Sequence, residues 1–429
     1  MKTTVSYKVQ ILQFNRISTK TFQIYRKAVC YIIKVIQENY DEIFDISSVV
    51  YRKAFVEHLI HNTSKNVALY DFDNNFYKLP IYLLRSAIAK ALGNMSSHVS
   101  NGNDVWDCKV SKHQRYMPCL YDGNMFSIDL DNYTAKIKLY INNDWVWCKV
   151  KLCKTDVDYL LKKGCNFKSP VMMRNKGKVY LQFNIDKNVE LSKKSDRITS
   201  VDLGLNHDAV CVVMNSDGTV LDRKFIDYSS EKDHMENILS RIKSKQSYGM
   251  SVKNDWSYYK MLNHIRTNLI ASKIVEYAHE HSSDVIVFEH LDMQRKKAMR
   301  GKSKQKISLW HKNNIQNVCE YKAHLLGMRI ARVFSKGTSM FAFDGSGKVI
   351  RGREAGFKNN RLCKFSSGKI YNADLSAAYN IGARYFIKLK YDKLSQSRIK
   401  AIQAKVPALS TRTTCTLDTL IKLNAELCA

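Results

Sequence analysis

The spacing of hydrophobic and polar positions changes several times along the chain, and the changes divide it. Apolar and polar residues alternate from Val5 to Phe14 (VSYKVQILQF), the period of a half-buried strand. From about Thr19 to Gly102 apolar residues recur three and four positions apart, as in FQIYRKAVCYIIKVIQENYDEIF and YLLRSAIAKALGNMSSHV, which predicts helices. From about Met125 the period returns to two through MFSIDLDN, AKIKLYIN, WVWCKVKL and KVYLQFNID, predicting antiparallel strands up to about Asn188. The first part of the chain thus reads as a β element that a helical insertion interrupts.

A different pattern follows KNVELSKKSDR. ITSVDLGL is a short apolar strand; AVCVVM and VLDRKFID form a hairpin with Asp217-Gly218 at its turn. Two long helical stretches are predicted at about Glu231–Gln246 and Trp256–His281. DVIVFEHL is a buried strand, Asn314–Leu326 a helix, RIARVF a strand and Asp374–Lys390 a helix. A hairpin followed by alternating helices and strands fits an α/β fold of the RNase H-like kind. The segment from Ser395 to Ala429 is mildly basic and carries no distinct pattern.

Composition adds the partner. The 429 residues are 45% hydrophobic and 11% aromatic, enough for two or three folded domains. Against 39 Asp and Glu stand 69 Lys and Arg, a net charge of +30, whose self-repulsion calls for a polyanion. The basic residues are spread along the whole chain, which favours nucleic acid over a membrane surface. No apolar run approaches about 18 residues, and the N-terminus has no signal-peptide core. Eleven scattered cysteines with no CxxC pair point to a reduced, cytoplasmic setting in which most act as small hydrophobes.

Three carboxylates carry the candidate chemistry. Asp202 closes the apolar strand ITSVD, Glu289 closes VIVFE, and Asp374 opens the helix NADLSAAYNI, with the small residues Ala377 and Ala378 one turn later. Parallel strands expose their carboxyl ends at one edge, where Asp202 and Glu289 can converge, and the small residues let the helix bring in Asp374. Singly, Asp202 reads as a turn former, Glu289 as a solvated strand end and Asp374 as a helix charge favoured by the dipole. Together they suit phosphodiester hydrolysis, in which two divalent ions about 4 Å apart clamp the attacking water and the leaving oxygen. Carboxylates are the hard ligands that Mg²⁺ takes.

At these residues the chain resembles the TnpB proteins and the compact type V CRISPR effectors. VDLGLN is similar to the first RuvC motif of that family, VIVFEHLDM to the second, and NADLSAAYNI to the third. SPVMMRNKGKVYLQFNID resembles the strand pair before the first motif, and CEYKAHLLGMRI the helix between the second and third. The likeness covers about Ser169–Ile387; before it only the architecture matches. It implies an α+β multidomain chain. A β-barrel-like wedge domain (1–15 and 103–195) would hold a helical recognition insertion (16–102). An RNase H-like RuvC nuclease domain (196–334 and 371–429) would hold a ribbon-like insertion (335–370).

It further implies an RNA-guided DNA endonuclease with Asp202, Glu289 and Asp374 as catalytic metal ligands and two Mg²⁺ or Mn²⁺ ions as cofactor. Guide RNA, double-stranded target DNA and its displaced strand would be the partners, with no membrane, and a monomer or a homodimer on one guide. A nuclease-silent RNA-guided binding protein, or a guide-independent RNase H-like nuclease or transposase, are the alternatives.

One departure stands out. Where the family carries a zinc ribbon of paired CxxC motifs, this chain reads TSMFAFDGSGK and RLCKFSSGK, with Cys363 alone. Four-sulfur coordination is excluded, and no structural zinc is expected. A hairpin packed on Phe341, Phe343 and Phe365 is the expected replacement.

Basic segments give the candidate nucleic-acid contacts. QRKKAMRGKSKQK after Glu289 holds Arg295, Lys296, Lys297, Arg300, Lys302, Lys304 and Lys306, either a solvated loop or a lid guiding single-stranded DNA. Lys109, Lys112, Arg115, Lys151, Lys154, Lys162 and Lys163, interleaved with Tyr116, Trp145 and Trp147, are a candidate cradle for guide RNA.

Overall fold

The computed structural model describes residues 2–13, 18–109, 117–192, 196–204, 207–290 and 312–428. It separates into two compact units, Thr4–Lys187 and Asn188–Ala429 with Met1–Thr3.

The first unit opens with β1 (Lys2–Ile11), followed by α1 (Ser18–Glu38), α2 (Tyr40–Asp45), α3 (Val49–Ile60), α4 (Phe72–Asn75) and α5 (Ile81–Ser100). In α1 the buried residues Tyr25, Ala28, Val29, Ile32 and Ile36 form a stripe at helical spacing. The stripe packs on α5, where the Tyr25 hydroxyl bonds the Ser86 carbonyl at 3.1 Å. After the helices come β2 (Phe126–Asp129), β3 (Thr134–Ile141) and β4 (Asp144–Lys151), an antiparallel meander. Then follow α6 (Lys154–Lys162), β5 (Val171–Asn175) and β6 (Lys178–Asn188).

Here the barrel-like expectation needs correcting. The strands form two three-stranded sheets, β1-β6-β5 and β2-β3-β4, and among the described residues they do not close. Among the described residues the two sheets are joined by one backbone bridge, Ile11↔Leu152, beyond which the ladder stops and α6 begins, and by core packing such as Phe126 on Phe183. Helix α6 itself was not expected from the alternating pattern around it.

The second unit is built on a five-stranded sheet ordered β11-β10-β7-β8-β9. Its strands are β7 (Arg197–Asp202), β8 (Ala209–Asn215), β9 (Val220–Ile226), β10 (Val285–His290) and β11 (Arg329–Phe334). The first three form the hairpin ribbon, while β10 joins β7, and β11 joins β10, in parallel. Helices α7 (Ser229–Ser247) and α8 (Lys253–Glu280) lie between β9 and β10, and α9 (Lys312–Leu325) precedes β11.

Alternation along the strands gives the sheet two different faces. Val201, Cys211, Val213, Ile286 and Phe288 pack on α8 and α9. Ile198, Val210, Val212, Met214, Val285 and Val287 pack on α10 (Ala373–Tyr391). Between β11 and α10 sits a small antiparallel sheet of β12 (Ile350–Arg351), β13 (Leu362–Lys364) and β14 (Ile370–Asn372). The stretch after Ser395 is ordered as α11 (Gln396–Lys405) and α12 (Leu417–Cys428), with Leu417, Leu420 and Leu423 buried in the core against α10. No helix of the described residues is long and apolar enough to cross a membrane.

Candidate active site

The parallel register aligns two of the three carboxylates. Phe288 pairs with Val201, so one step further along each strand Glu289 and Asp202 stand side by side at the carboxyl ends. Residues paired in a ladder face the same way. Asp202 shares the side of Ile198, and Glu289 the side of Val285 and Val287, so both face α10. Asp202 is buried and Glu289 half-buried.

Helix α10 supplies the third carboxylate from its first turn. Asn372 is its N-cap, its side-chain oxygen accepting from the Asp374 and Leu375 amides at 3.0 and 2.9 Å. The helix then runs close along β7. The Ser200 hydroxyl donates to the Ala378 carbonyl at 2.8 Å. A methyl added at Gly382 would lie 3.0 Å from Ser200 Oγ and 3.2 Å from Met214 Sδ, so glycine permits the close crossing. At the helix start, a Cβ on Gly204 would sit 3.4 Å from Asp374 Oδ2. The loop leaving Asp202 and the carboxylate of Asp374 are therefore immediate neighbours.

Four further residues organise the Glu289 side. The Thr338 hydroxyl donates a short hydrogen bond to Glu289 Oε1, and the Gln316 amide nitrogen donates to the Glu289 carbonyl at 3.0 Å. The Thr338 loop is held from α10. Asn380 Nδ2 donates to the Thr338 and Phe341 carbonyls, both at 2.9 Å, and its Oδ1 accepts from the Leu417 amide at 3.2 Å. Arg384, one turn on, donates to the carbonyls of Phe334, Lys336, Thr413 and Cys415 at 2.7–3.1 Å. Burial pushes its guanidinium below the ordinary arginine value, partly offset by Cys415 and Glu289. One buried cation thus ties the loop after β11 to the segment before α12. None of Gln316, Thr338, Asn372, Asn380 and Arg384 was singled out in the sequence, although Asn before a helical run is a local N-cap signal.

The donor set fits a hard divalent ion in chemistry, being carboxylate oxygens on one face of one edge. Yet among the described residues no three His, Cys, Asp or Glu side chains are gathered as a metal site. Crowding like charges without a cation is unfavourable, and Thr338 draws the Glu289 carboxylate toward its own loop.

In the insertion, Cys363 is buried and its thiol donates to the Tyr371 carbonyl at 3.5 Å. Burial raises that thiol's pKa. Phe365 packs edge-on against Phe343 with ring centroids 5.6 Å apart, and Ala342, Val349 and Ala373 complete the cluster. Phe341 stands at its border, bridged to Lys348.

The expected nucleic-acid contacts Arg295, Lys296, Lys297, Arg300, Lys302, Lys304 and Lys306 lie outside the described residues, as do Lys112, Arg115 and Tyr116. Lys109 is exposed in the first unit, as are Lys151, Lys154, Lys162 and Lys163. Strand β4 alternates so that Trp145 turns into the core while Trp147 stays exposed.

Comparison with solved structures bears on this architecture. The chain is similar to the protein in a Cas12f1-sgRNA-target DNA complex, with TM-score 0.58, 14% identity, and 86% of this chain and 81% of that one covered. It also matches Alicyclobacillus acidoterrestris C2c1 in complex with single-guide RNA, with TM-score 0.43, 10% identity, and 86% and 70% covered. The first of these establishes the fold: the chain is built as the compact type V effectors are. A family model described as the Aq_aa04 family matches residues 3–141. No curated protein matches.

Proposed function

We propose that this protein is an RNA-guided, metal-dependent DNA endonuclease of the RuvC type. The observation that carries the reading is the alignment of Asp202 and Glu289 on the face of the sheet that meets α10, where Asp374 stands in the first turn beside Gly204. The carboxylates would hold two Mg²⁺ or Mn²⁺ ions, which supply charge neutralisation and an activated water for hydrolysis at a phosphate. Glu289 is oriented by Thr338, and the close crossing at Gly382 fixes the depth of Asp374. The net charge of +30 supports guide RNA and target DNA as partners, with affinity drawn from backbone phosphates. The Cas12f1 protein of similar fold is in complex with sgRNA and target DNA.

The proposed division of labour follows the notion of a split β domain with a helical insertion in front of a nuclease unit. The basic residues Lys109 and Arg115, and the segment holding Arg295, Lys296, Lys297, Arg300, Lys302, Lys304 and Lys306, are proposed nucleic-acid contacts.

A second reading, a nuclease-silent RNA-guided binding protein, draws on the Glu289–Thr338 bond and the ungathered carboxylates. One experiment separates the two. RNA copurifying with the full chain is sequenced, DNA complementary to it is supplied, and cleavage is followed with Mg²⁺ and with EDTA. Guide-matched cutting that needs the metal is expected. Guide-matched binding without cutting at any Mg²⁺ or Mn²⁺ concentration would establish the second reading.

A further inference from the structure

The row of the sheet that holds the carboxylates continues past them. Asp202 on β7 pairs with Val210 on β8, and Val210 pairs with Phe225 on β9. The next row down pairs Ser200 with Val212 and Val212 with Arg223. Paired residues face the same way, so Phe225 and Arg223 emerge on the carboxylate face. At about 4.8 Å per strand, Phe225 stands about 10 Å from Asp202.

Phe225 is 43% exposed on an edge strand, and its ring stands T-shaped to that of His207, with centroids 5.2 Å apart. Arg223 is exposed and lies beside Tyr379 and Tyr371, whose hydroxyls are 3.1 Å apart. Among the described residues it makes no ion pair. Beyond Tyr371, the Lys369 ammonium lies 5.2 Å from that ring and 5.0 Å from the Phe343 ring. Asp222 on this strand pairs with His281 on the opposite face at 3.0 Å, while Asp227, one residue past the strand, lies 3.5 Å from His207, beside Phe225. An exposed aromatic ring on the same face as cations that make no ion pair among the described residues is the composition that binds single strands, the ring by stacking and the cations by phosphate contact.

We propose that Phe225, Arg223 and Lys369 form a ledge that seats single-stranded DNA next to the carboxylate edge. Phe225 stacks on one base, and Arg223 and Lys369 take the adjoining phosphates. The identity of the strand as DNA rests on the nuclease reading; the ledge itself rests on the exposed row.

The test measures binding without chemistry. The full chain in EDTA is titrated into a labelled single-stranded oligodeoxynucleotide of about a dozen residues, and separately into the RNA of the same sequence, at about 0.15 M salt. Phe225→Ala is expected to weaken DNA binding about five- to hundredfold, as loss of one stacked base should. Phe225→Leu, which keeps the apolar bulk, should weaken it comparably, and Phe225→Trp should restore it. Arg223→Gln should lower the salt slope by about one. DNA affinity unchanged in both Phe225→Ala and Phe225→Leu overturns the ledge, even if cleavage assays uphold the nuclease. Phe225-dependent binding confined to RNA overturns the choice of DNA. Phe225-dependent DNA binding in a chain that never cleaves leaves the ledge standing and sinks the nuclease reading.

Discussion

On the side of the large sheet that packs against α8 and α9, apolar residues continue to the carboxyl end, where Val201 and Phe288 are both buried. On the side that packs against α10, the same two strands carry Ser200, Asp202 and Glu289, and the helix answers with Ser376, Asn380 and Arg384. Buried polar groups are costly unless bonded, and here most of the bonds are made: Ser200 to a helix carbonyl, Asn380 to two carbonyls and an amide, Arg384 to four carbonyls, while the Ser376 hydroxyl is buried with no partner among the described residues. Apolar side chains filling that space would hold the sheet equally well. The contrast teaches that one face of the sheet carries stability while the other trades some of it for oriented polar groups.

The strongest way to break this comparison is to remove a carboxylate. Asp202→Ala, Glu289→Ala and Asp374→Ala are each expected to reduce cleavage by on the order of a thousandfold or more while guide-dependent DNA binding persists. Full-rate cutting by any one of them, in a gel assay with bound guide, would show that the residue is not a metal ligand. The complementary cut is Phe288→Ala on the apolar face. Phe288 is fully buried, so the variant should lose about 3–5 kcal/mol of unfolding free energy in urea. Below its melting temperature the metal requirement of cleavage should be unchanged. A shifted metal requirement there would mean the two faces are not separable.

A finer probe is Thr338→Val, which removes the donor to Glu289 and keeps the shape. Loss of a group that orients a ligand costs about ten- to hundredfold in metal affinity. Mn²⁺ binding followed by paramagnetic resonance should weaken accordingly, and Thr338→Ser should recover it; equal affinity in all three proteins would reduce Thr338 to a loop contact. The smallest effect concerns the insertion. Elemental analysis should find clearly less than one zinc per chain, and Phe365→Ala should loosen the β13–β14 hairpin and slow cleavage, since Asp374 follows β14 directly. Stoichiometric zinc would point to ligands outside the aromatic cluster.

Much of the second unit was legible because its signals are local. Strand β10 is a bare apolar run ended by Glu289, and the hairpin turn at Asp217-Gly218 falls where predicted, with Gly218 at φ +97°. Helix α10 was found to within a residue at each end. What escaped was non-local. Helix α6 is only nine residues long, and Val157 and Leu160 are too short a stripe to stand out among strands. Helix α12 is amphipathic, yet its leucines have meaning only against α10. The roles of Asn380 and Arg384 depend on backbone carbonyls, which carry no residue-type signature. Phe225 and Arg223 read as ordinary strand positions until the register sets them in line with Asp202.

Arg384 has a consequence for the order in which the chain is made. Its guanidinium is satisfied only when the carbonyls of Thr413 and Cys415 arrive, and the same segment passes 2.3 Å from where a Cβ at Gly337 would be. On the ribosome, all five strands of the large sheet emerge well before those residues do. A nascent chain can therefore pair its strands while the Thr338 loop still lacks its last anchor, and Glu289 stays unset until residues 411–417 have cleared the exit tunnel. Synthesis itself delays the setting of Glu289, whose surroundings are completed only by segments made after the whole sheet.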